Sequence, residues 1–149
     1  MKAAIAEANK GVKKGDGGPF GAVIVRNKRI IARGHNMVVV SHDPSAHAEV
    51  VTIRNASKKL KRFDLSDCEL YTSCEPCPMC LSTIYWAKFK KIYFGATRSD
   101  AANIGFDDKF IYDVLEGKAK PRVTMIAINR KESVAPMNSW KEKIDRVQY

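Results

Sequence analysis

Two short motifs, far apart along the chain, have to meet at one point in the folded protein, and no other feature of the sequence limits the fold as strongly. They are His47-Ala48-Glu49 and Pro76-Cys77-Pro78-Met79-Cys80. Cys77 and Cys80 are three residues apart, so on a helix their sulfurs lie on one face and can bind one ion. Two thiolates and one imidazole suit Zn²⁺, and three protein ligands leave a fourth position open, as in catalytic zinc sites.

Helix geometry restricts how the two motifs can share a pocket. Each ligand group falls in the first turn of a predicted helix, where free N–H groups and the positive end of the helix dipole favour thiolates. His47 and Glu49 are two residues apart, which places them about 200° apart around a helix. Both can serve one pocket only if it lies beyond the helix N-terminus. The sequence therefore predicts two helices whose N-termini point at one metal ion.

The carboxylate of Glu49 favours a catalytic site over a structural one. A structural zinc knuckle uses four protein ligands and has no use for Glu49, whereas a hydrolytic site needs a group that moves protons. The order His-x-Glu, then Pro-Cys-x-x-Cys, is the signature of zinc-dependent base deaminases. We therefore expect zinc-bound hydroxide as the nucleophile and Glu49 as the proton shuttle. We interpret His35 and His42 as ordinary polar loop residues rather than ligands.

Length and composition favour a single domain, residues 1–149, in a reducing compartment. Residues 1–14 contain no apolar run fit for a signal peptide or a membrane span, so we expect a cytoplasmic protein without membrane association. Four cysteines, two of them in a metal-like pair, also fit a reducing compartment. The net charge of +10 is compatible with nucleic-acid binding. Because the basic residues are spread without interleaved aromatics, a solvated surface is the favoured interpretation.

Apolar runs and turn signals predict strands that alternate with helices, an α/β sandwich whose sheet is mostly parallel in its second half. The predicted strands are residues 20–25, 30–33, 68–72, 91–95 and 123–128. The predicted helices are residues 3–12, 44–60, 78–87, 110–115 and 134–147. The second helix is expected to begin with Asp43 as its cap and Pro44 at its first position.

At these motifs the chain resembles the zinc-dependent cytidine deaminase-like superfamily and, within it, the family of bacterial guanine deaminases. The resemblance runs nearly end to end. It is carried by residues 17–23, 43–50, 71–80, 84–87 and 101–108, with Asn36 and Tyr149. The zinc motifs are shared by many relatives. Trp86, the Gly-Phe-Asp-Asp segment at 105–108 and the terminal tyrosine are the narrower evidence.

The resemblance implies a three-layer α/β/α fold with a five-stranded mixed sheet, and one Zn²⁺ per subunit held by His47, Cys77 and Cys80. It also implies a homodimer in which a C-terminal tail, about residues 132–149, is exchanged between subunits. The activity that it implies is hydrolysis of guanine to xanthine and ammonia, with Glu49 moving the proton.

The resemblance further assigns five residues to the substrate. Asn36 would hydrogen-bond the purine, Phe20 would stack on it, and Trp86 would line the pocket. Asp108 would be a second carboxylate near the leaving amine, and Tyr149 would close over the base. From the residues alone, simpler interpretations stay open: a turn for Asn36, the core for Phe20 and Trp86, a helix cap for Asp108 and a frayed end for Tyr149.

Other activities fit the same motifs. Within the enzyme class these are deamination of guanosine or another amino-heterocycle, and deamination of adenosine in tRNA, which would suit the basic surface. The alternative that is not an enzyme is a zinc-stabilised RNA-binding module. Nucleic-acid binding weakens steeply with salt, so salt dependence distinguishes the RNA alternatives.

Overall fold

A four-stranded mixed sheet forms the middle of the protein, whose computed structural model describes residues 1–148. The strands are β1 (Gly21–Arg26), β2 (Arg29–His35), β3 (Glu69–Cys74) and β4 (Ile92–Ala96), in the spatial order β2-β1-β3-β4. The helices are α1 (Lys2–Lys14), α2 (Val38–Ser41), α3 (Ala48–Leu60), α4 (Pro78–Trp86), α5 (Arg98–Asn103), α6 (Lys109–Leu115) and α7 (Arg130–Glu142).

The length of the connection between two strands limits whether they can pair antiparallel or parallel. β1 and β2 form an antiparallel hairpin whose turn residues Asn27 and Lys28 have φ of 49° and 61°, the left-handed conformation that a two-residue hairpin turn requires. β1 also pairs antiparallel with β3, and β3 pairs parallel with β4. A parallel pair needs a long crossover, and α4 lies in the segment that provides it.

The two faces of the sheet are covered by different helices. Alternate residues of the strands point to opposite faces. On one face, Ile24 and Leu70 are fully buried and belong to a core cluster with Ile53 of α3 and Ile84 of α4. On the other face α1 packs closely, since a Cβ at Gly21 would come within 2.3 Å of the α1 backbone. This arrangement confirms the α/β/α layering.

The sheet has four strands among the described residues rather than the expected five. The missing strand is residues 123–128, which form no regular secondary structure and have no strand partner within the described chain. Their apolar side chains are at least 75% exposed: Val123, Met125, Ile126 and Ile128. The predicted fifth strand is therefore wrong for a single chain. A strand forms only where a neighbouring strand supplies the hydrogen bonds, and none does so within residues 1–148.

The helix that carries the first motif begins later than its capping signal indicated. Asp43 and Pro44 lie before the helix, where Asp43 Oδ1 accepts from the Ser45 N–H at 2.8 Å and closes a turn. α3 starts at Ala48, with His47 as its N-cap in extended conformation. The Asp-Pro pair therefore forms an Asx turn, which competes with helix capping for the same side chain.

The two edges of the sheet differ. Along β2, the carbonyl oxygens of Ile31 and Arg33 accept hydrogen bonds from Lys59 and Asn55 of α3. Along β4, β3 is the only strand neighbour within residues 1–148, so the outer edge of β4 is open. No helix in the described part of the chain combines the length and apolar character needed to cross a bilayer.

Candidate active site

The predicted metal ligands come together at the N-termini of α3 and α4. His47 is the N-cap of α3 and Cys77 the N-cap of α4, both in extended conformation and neither capping its helix with its side chain. Cys80 lies one turn into α4 and is fully buried. The side chains that usually satisfy a helix start are thus free to bind an ion instead.

The donor atoms are spaced for zinc. His47 Nδ1 lies 3.5 Å from Cys77 Sγ and 3.5 Å from Cys80 Sγ. In a tetrahedral centre with Zn–S bonds of about 2.3 Å and Zn–N bonds of about 2.0 Å, nitrogen and sulfur stand about 3.5 Å apart. No other cluster of three such donors is found among residues 1–148. These residues fit one zinc ion with a fourth position left for a small molecule.

Hydrogen bonds within the trio favour a thiolate at Cys77. The Cys80 thiol and the His47 ring both donate toward Cys77 Sγ and lower the pKa of Cys77 to about 4. The pKa of Cys80 is raised, chiefly because its proton is shared with Cys77. The same contact with Cys77 raises the pKa of His47. Negative charge therefore collects where a cation would sit.

Glu49 lies beside the ligands but does not need to be one. Its residue is 5% exposed, its Oε1 accepts from Thr72 Oγ1 at 2.8 Å, and its Oε2 is 3.4 Å from Cys80 Sγ. Burial is the main cause that raises the pKa of Glu49, against the lowering effect of the Thr72 hydroxyl. A raised pKa makes the carboxyl group of Glu49 better able to hold a proton that it has taken up.

A cavity of about 440 Å³ opens onto this cluster, a size typical of small-molecule sites. It brings together six of the residues predicted from the sequence: Phe20, Asn36, His47, Glu49, Cys77 and Asp108. Phe106 lines the cavity too and packs edge-on against Phe20, with ring centroids 5.0 Å apart. The sequence analysis did not single out Phe106, although it belongs to the Gly-Phe-Asp-Asp segment.

The buried amide of Asn36 has a fixed orientation. Its Oδ1 accepts from the N–H groups of Gly18 at 3.3 Å and Val38 at 3.1 Å. Because backbone N–H groups only donate, the oxygen must face them. The Nδ2 group of Asn36 is therefore available to donate into the cavity.

Asp108 reaches the cavity because α6 is attached to the loop before Cys77. The Tyr112 hydroxyl donates to the carbonyl oxygen of Pro76 at 3.2 Å. Asp108 is the N-cap residue of α6 but makes no side-chain capping bond. Partial burial, followed by the nearby charge of Cys77, raises the pKa of Asp108.

Two predicted substrate residues are not placed in this cavity. Trp86 is the last residue of α4, about 12 Å along the helix from the ligand end, and lines a separate groove with Trp140 and Met137 of α7. Tyr149 lies outside the described residues. Among the described residues, the donor cluster includes neither His35 nor His42. His35 is buried at the end of β2 rather than in a polar loop, as the sequence had suggested.

Thr72 is a site residue that sequence reasoning missed. It is fully buried and opposite Ala22 in the pairing of β1 with β3. It lies two residues before Cys74, another buried residue on the same face, whose thiol has its pKa raised by burial to about 11 and stays protonated. Burial alternates along β3 in the structure, but no motif in the sequence marks Thr72 as a partner of Glu49.

Comparison with known proteins agrees with this geometry. Residues 1–96 match the family model of the cytidine and deoxycytidylate deaminase zinc-binding region. The chain is 47% identical to a guanine deaminase of Bacillus subtilis over 100% of this chain and 96% of that protein. It superposes on the X-ray structure of a B. subtilis guanine deaminase with a TM-score of 0.92, at 99% and 95% coverage.

A second group of relatives matches only part of the chain. A tRNA-specific adenosine deaminase of B. subtilis is 44% identical over 96 residues, which are 64% of this chain and 59% of that protein. The region matched by the family model, residues 1–96, contains the zinc cluster. With that cluster, the neighbouring carboxylate and the matched zinc-binding region all in place, the chain belongs to the cytidine and deoxycytidylate deaminase family of zinc-dependent enzymes.

Proposed function

We propose that this protein catalyses the hydrolytic deamination of guanine to xanthine and ammonia. The observation that carries the proposal is the likeness to guanine deaminase along the entire chain, including the segment after residue 96. That segment contributes Phe106 and Asp108 to the cavity. The tRNA deaminase relative matches 64% of this chain, whereas the guanine deaminase matches all of it, which favours the free purine over a tRNA adenosine.

The chain's own residues handle the protons. When bound, zinc supplies a water molecule acidic enough to lose a proton near neutral pH. Glu49, held by Thr72, takes that proton and delivers it to the ring nitrogen next to the carbon under attack. The carbon then carries both the new oxygen and the exocyclic amine.

Asn36 and Asp108 act on opposite parts of the substrate. The Nδ2 group of Asn36 donates to an acceptor atom of the purine, while Phe20 and Phe106 contact its ring. Asp108 protonates the amine, so the C–N bond breaks with ammonia as the leaving group rather than an amide anion. The new hydroxyl becomes the carbonyl of xanthine, and its proton returns to Asp108. The raised pKa of Asp108 supports this role, since the protonated acid is the useful form.

Ammonia release tests the proposal. Zinc-loaded protein is incubated with guanine, guanosine, adenine and an adenosine-containing tRNA anticodon stem-loop, and ammonia is measured at low and high salt. We expect turnover of guanine at least 100-fold above the others in kcat/KM. Turnover of the stem-loop alone, suppressed by salt, would overturn the guanine proposal in favour of tRNA.

We further propose a homodimer in which the C-terminal tail, about residues 132–149, crosses to the partner. Two features support it: α7 has no buried residue, and residues 123–128 leave apolar side chains exposed. β4 offers an open strand edge to which such a segment could add. Light scattering after size exclusion is expected to give twice the mass of one 16.7 kDa chain. A monomer at micromolar concentration would contradict it.

We place this enzyme in the cytoplasm. All four cysteines are free thiols, and two of them are needed as zinc ligands. Thiols of this kind persist in a reducing compartment. Fractionation of cells that express the native sequence is expected to recover the protein with cytoplasmic markers.

A further inference from the structure

A buried cluster outside the active site joins three separate parts of the chain. His35 ends β2, Glu7 belongs to α1, and Asp16 lies in the loop after α1. The Nε2 atom of His35 is 2.8 Å from Asp16 Oδ2, and its Nδ1 atom is 3.4 Å from Glu7 Oε2. The three side chains are only 9%, 16% and 11% exposed, in the order His35, Asp16, Glu7. Both ring nitrogens face carboxylate oxygens, so the imidazole bridges the side chains of Glu7 and Asp16.

Helix α1 leaves space for this histidine. A Cβ at Gly11 would come within 2.7 Å of His35 Cδ2, so the imidazole lies directly on the helix backbone. Glycine inside a helix is destabilising relative to alanine. Helix α1 therefore has a residue of low helix propensity, Gly11, at the point where the His35 ring packs against it.

From Asp16 the contacts continue to the wall of the substrate cavity. The backbone carbonyl of Asp16 accepts from the N–H groups of Val39 at 3.2 Å and Val40 at 3.1 Å. These residues belong to α2, which has four residues and no buried side chain. A helix this short has little stability of its own. Val38 and Val39 line the cavity, so the position of α2 depends on the loop that holds Asp16.

From His35 itself the contacts reach Asn36, the next residue. The Asn36 N–H donates to the carbonyl oxygen of Phe20 at 2.9 Å, and its Oδ1 accepts from Gly18. The loop from Gly15 to Phe20 therefore begins at the histidine cluster and ends at the amide that faces the substrate. Movement of the loop would move both the amide and the ring of Phe20.

We propose that His35 is a positioning residue for the substrate pocket: by bridging Glu7 and Asp16 it fixes the loop at 15–20 and α2, and so holds Asn36, Phe20 and Val39 against the base. His35 touches neither the zinc ligands nor Glu49. Its loss should therefore weaken substrate binding much more than the chemical step. The identity of the substrate used below rests on the proposed function.

Two isosteric replacements of His35 distinguish its contact with Asp16 from its contact with Glu7. The amide nitrogen of Gln occupies roughly the place of histidine Nε2, whereas that of Asn matches Nδ1. His35→Gln keeps a donor toward Asp16, and we expect its KM for guanine to stay within about threefold of wild type. His35→Asn loses that donor, and we expect KM to rise about tenfold with kcat changed less than about threefold, as for one lost hydrogen bond to a charged group.

Asp16→Ala tests the same hydrogen bond independently, because it removes the carboxylate that faces His35 Nε2 and leaves the histidine in place. Its KM should rise as in His35→Asn, and the double variant should be no worse than either single one, since both remove the same link. His42→Asn, at an exposed histidine in left-handed conformation, is the matched control and should behave as wild type.

Amide hydrogen exchange gives a readout that does not depend on turnover. In His35→Asn and Asp16→Ala the amides of Val39 and Val40 should lose protection, while those of Thr52 and Ile53 in α3 keep theirs. Unchanged KM and unchanged Val39 and Val40 exchange would overturn the proposal, as would kcat and KM changing together with loss of protection throughout the sheet. If wild type fails to deaminate guanine, the proposed function is wrong, yet the exchange result still decides the role of His35.

Discussion

The proton-transfer role proposed for Glu49 depends on what surrounds its carboxyl group. Burial raises its pKa, the Thr72 hydroxyl orients one oxygen, and the zinc ligands lie against the other. A solvated glutamate would be ionised at neutral pH and would hold a transferred proton poorly. The Glu49 carboxyl group is therefore more basic than a solvated one and is held in a fixed orientation for proton transfer.

Glu49→Gln separates metal binding from catalysis. The amide keeps the size of the side chain and can still accept from Thr72, but it cannot carry a proton. We expect full zinc content by metal analysis and a fall in kcat of about 10²–10⁴-fold, the usual contribution of a general acid–base group. Glu116→Gln, at an exposed residue, is the control. Normal turnover in Glu49→Gln would refute the assigned role.

Thr72 is expected to act through Glu49. Thr72→Val keeps the shape of the side chain but removes the hydroxyl donor, and a hydrogen bond to a charged group is worth about 1.5–3 kcal/mol. We expect kcat to fall by about 10- to 100-fold with zinc content unchanged. Thr72→Ser restores the donor and should recover most of the activity. Equal activity of the Val and Ser variants would show that the hydroxyl is not needed.

At the scale of single residues, the sequence predicts which side chains can bind the metal better than it predicts which residues contact them in the folded protein. His47, Cys77 and Cys80 were identifiable because their side chains and spacing suit one ion. Thr72 was not, because its contact with Glu49 depends on the register between β1 and β3, which pairs Thr72 with Ala22, 50 residues earlier in the chain. Register follows from packing of the entire sheet and leaves no local motif.

Among the elements, α3 and α4 begin at residues that bind metal rather than cap the helix. A lost N-cap costs about 1 kcal/mol per helix, and zinc at the same point compensates for it. Since zinc binds the folded chain and not the unfolded one, the two helix starts are stabilised only in the loaded protein.

Zinc removal should therefore lower stability as well as activity. Calorimetry with and without a chelator is expected to show a drop in the melting midpoint of about 10 °C for a site held well above its dissociation constant. Hydrogen exchange should rise first at the N-termini of α3 and α4. Added zinc should restore the midpoint and added magnesium should not. An unchanged midpoint would contradict a metal contribution to folding.

The elements also show where sequence patterns mislead. Helix α3 begins after Asp43 and Pro44 because the aspartate closes a turn instead. Helix α5 was not predicted, although Thr97 and Asp100 form a capping box at its start. Residues 123–128 have the composition of a strand, but no local pattern says which chain will supply the partner.

At the scale of the whole molecule, exposed apolar side chains in the last third of the chain are the main argument for exchange between copies. In a monomer, replacing Ile126, which is 78% exposed, with lysine would change stability by less than about 0.5 kcal/mol. In an exchanged dimer the same residue would be buried. The two assemblies therefore predict different results for one substitution.

We expect Ile126→Lys to shift the protein toward the mass of one chain and to lower activity, since the tail would no longer be delivered to the partner. Light scattering and ammonia release measure the two effects. Val12→Lys, on the exposed face of α1 at 52% exposure, is the matched control and should remain as wild type. A dimer of unchanged strength in Ile126→Lys would exclude residues 123–128 from the interface.

The open edge of β4 has a consequence for how the protein is made. On the ribosome, residues 92–96 emerge well before residues 123–128, so the outer edge of β4 is open in each nascent chain while its own residues 123–128 are still unsynthesised. Whatever reaches that strand first determines whether the chain assembles or precipitates. Slow translation at low temperature, with zinc in the medium, should favour the productive encounter, and rapid overproduction should send much of the protein into inclusion bodies.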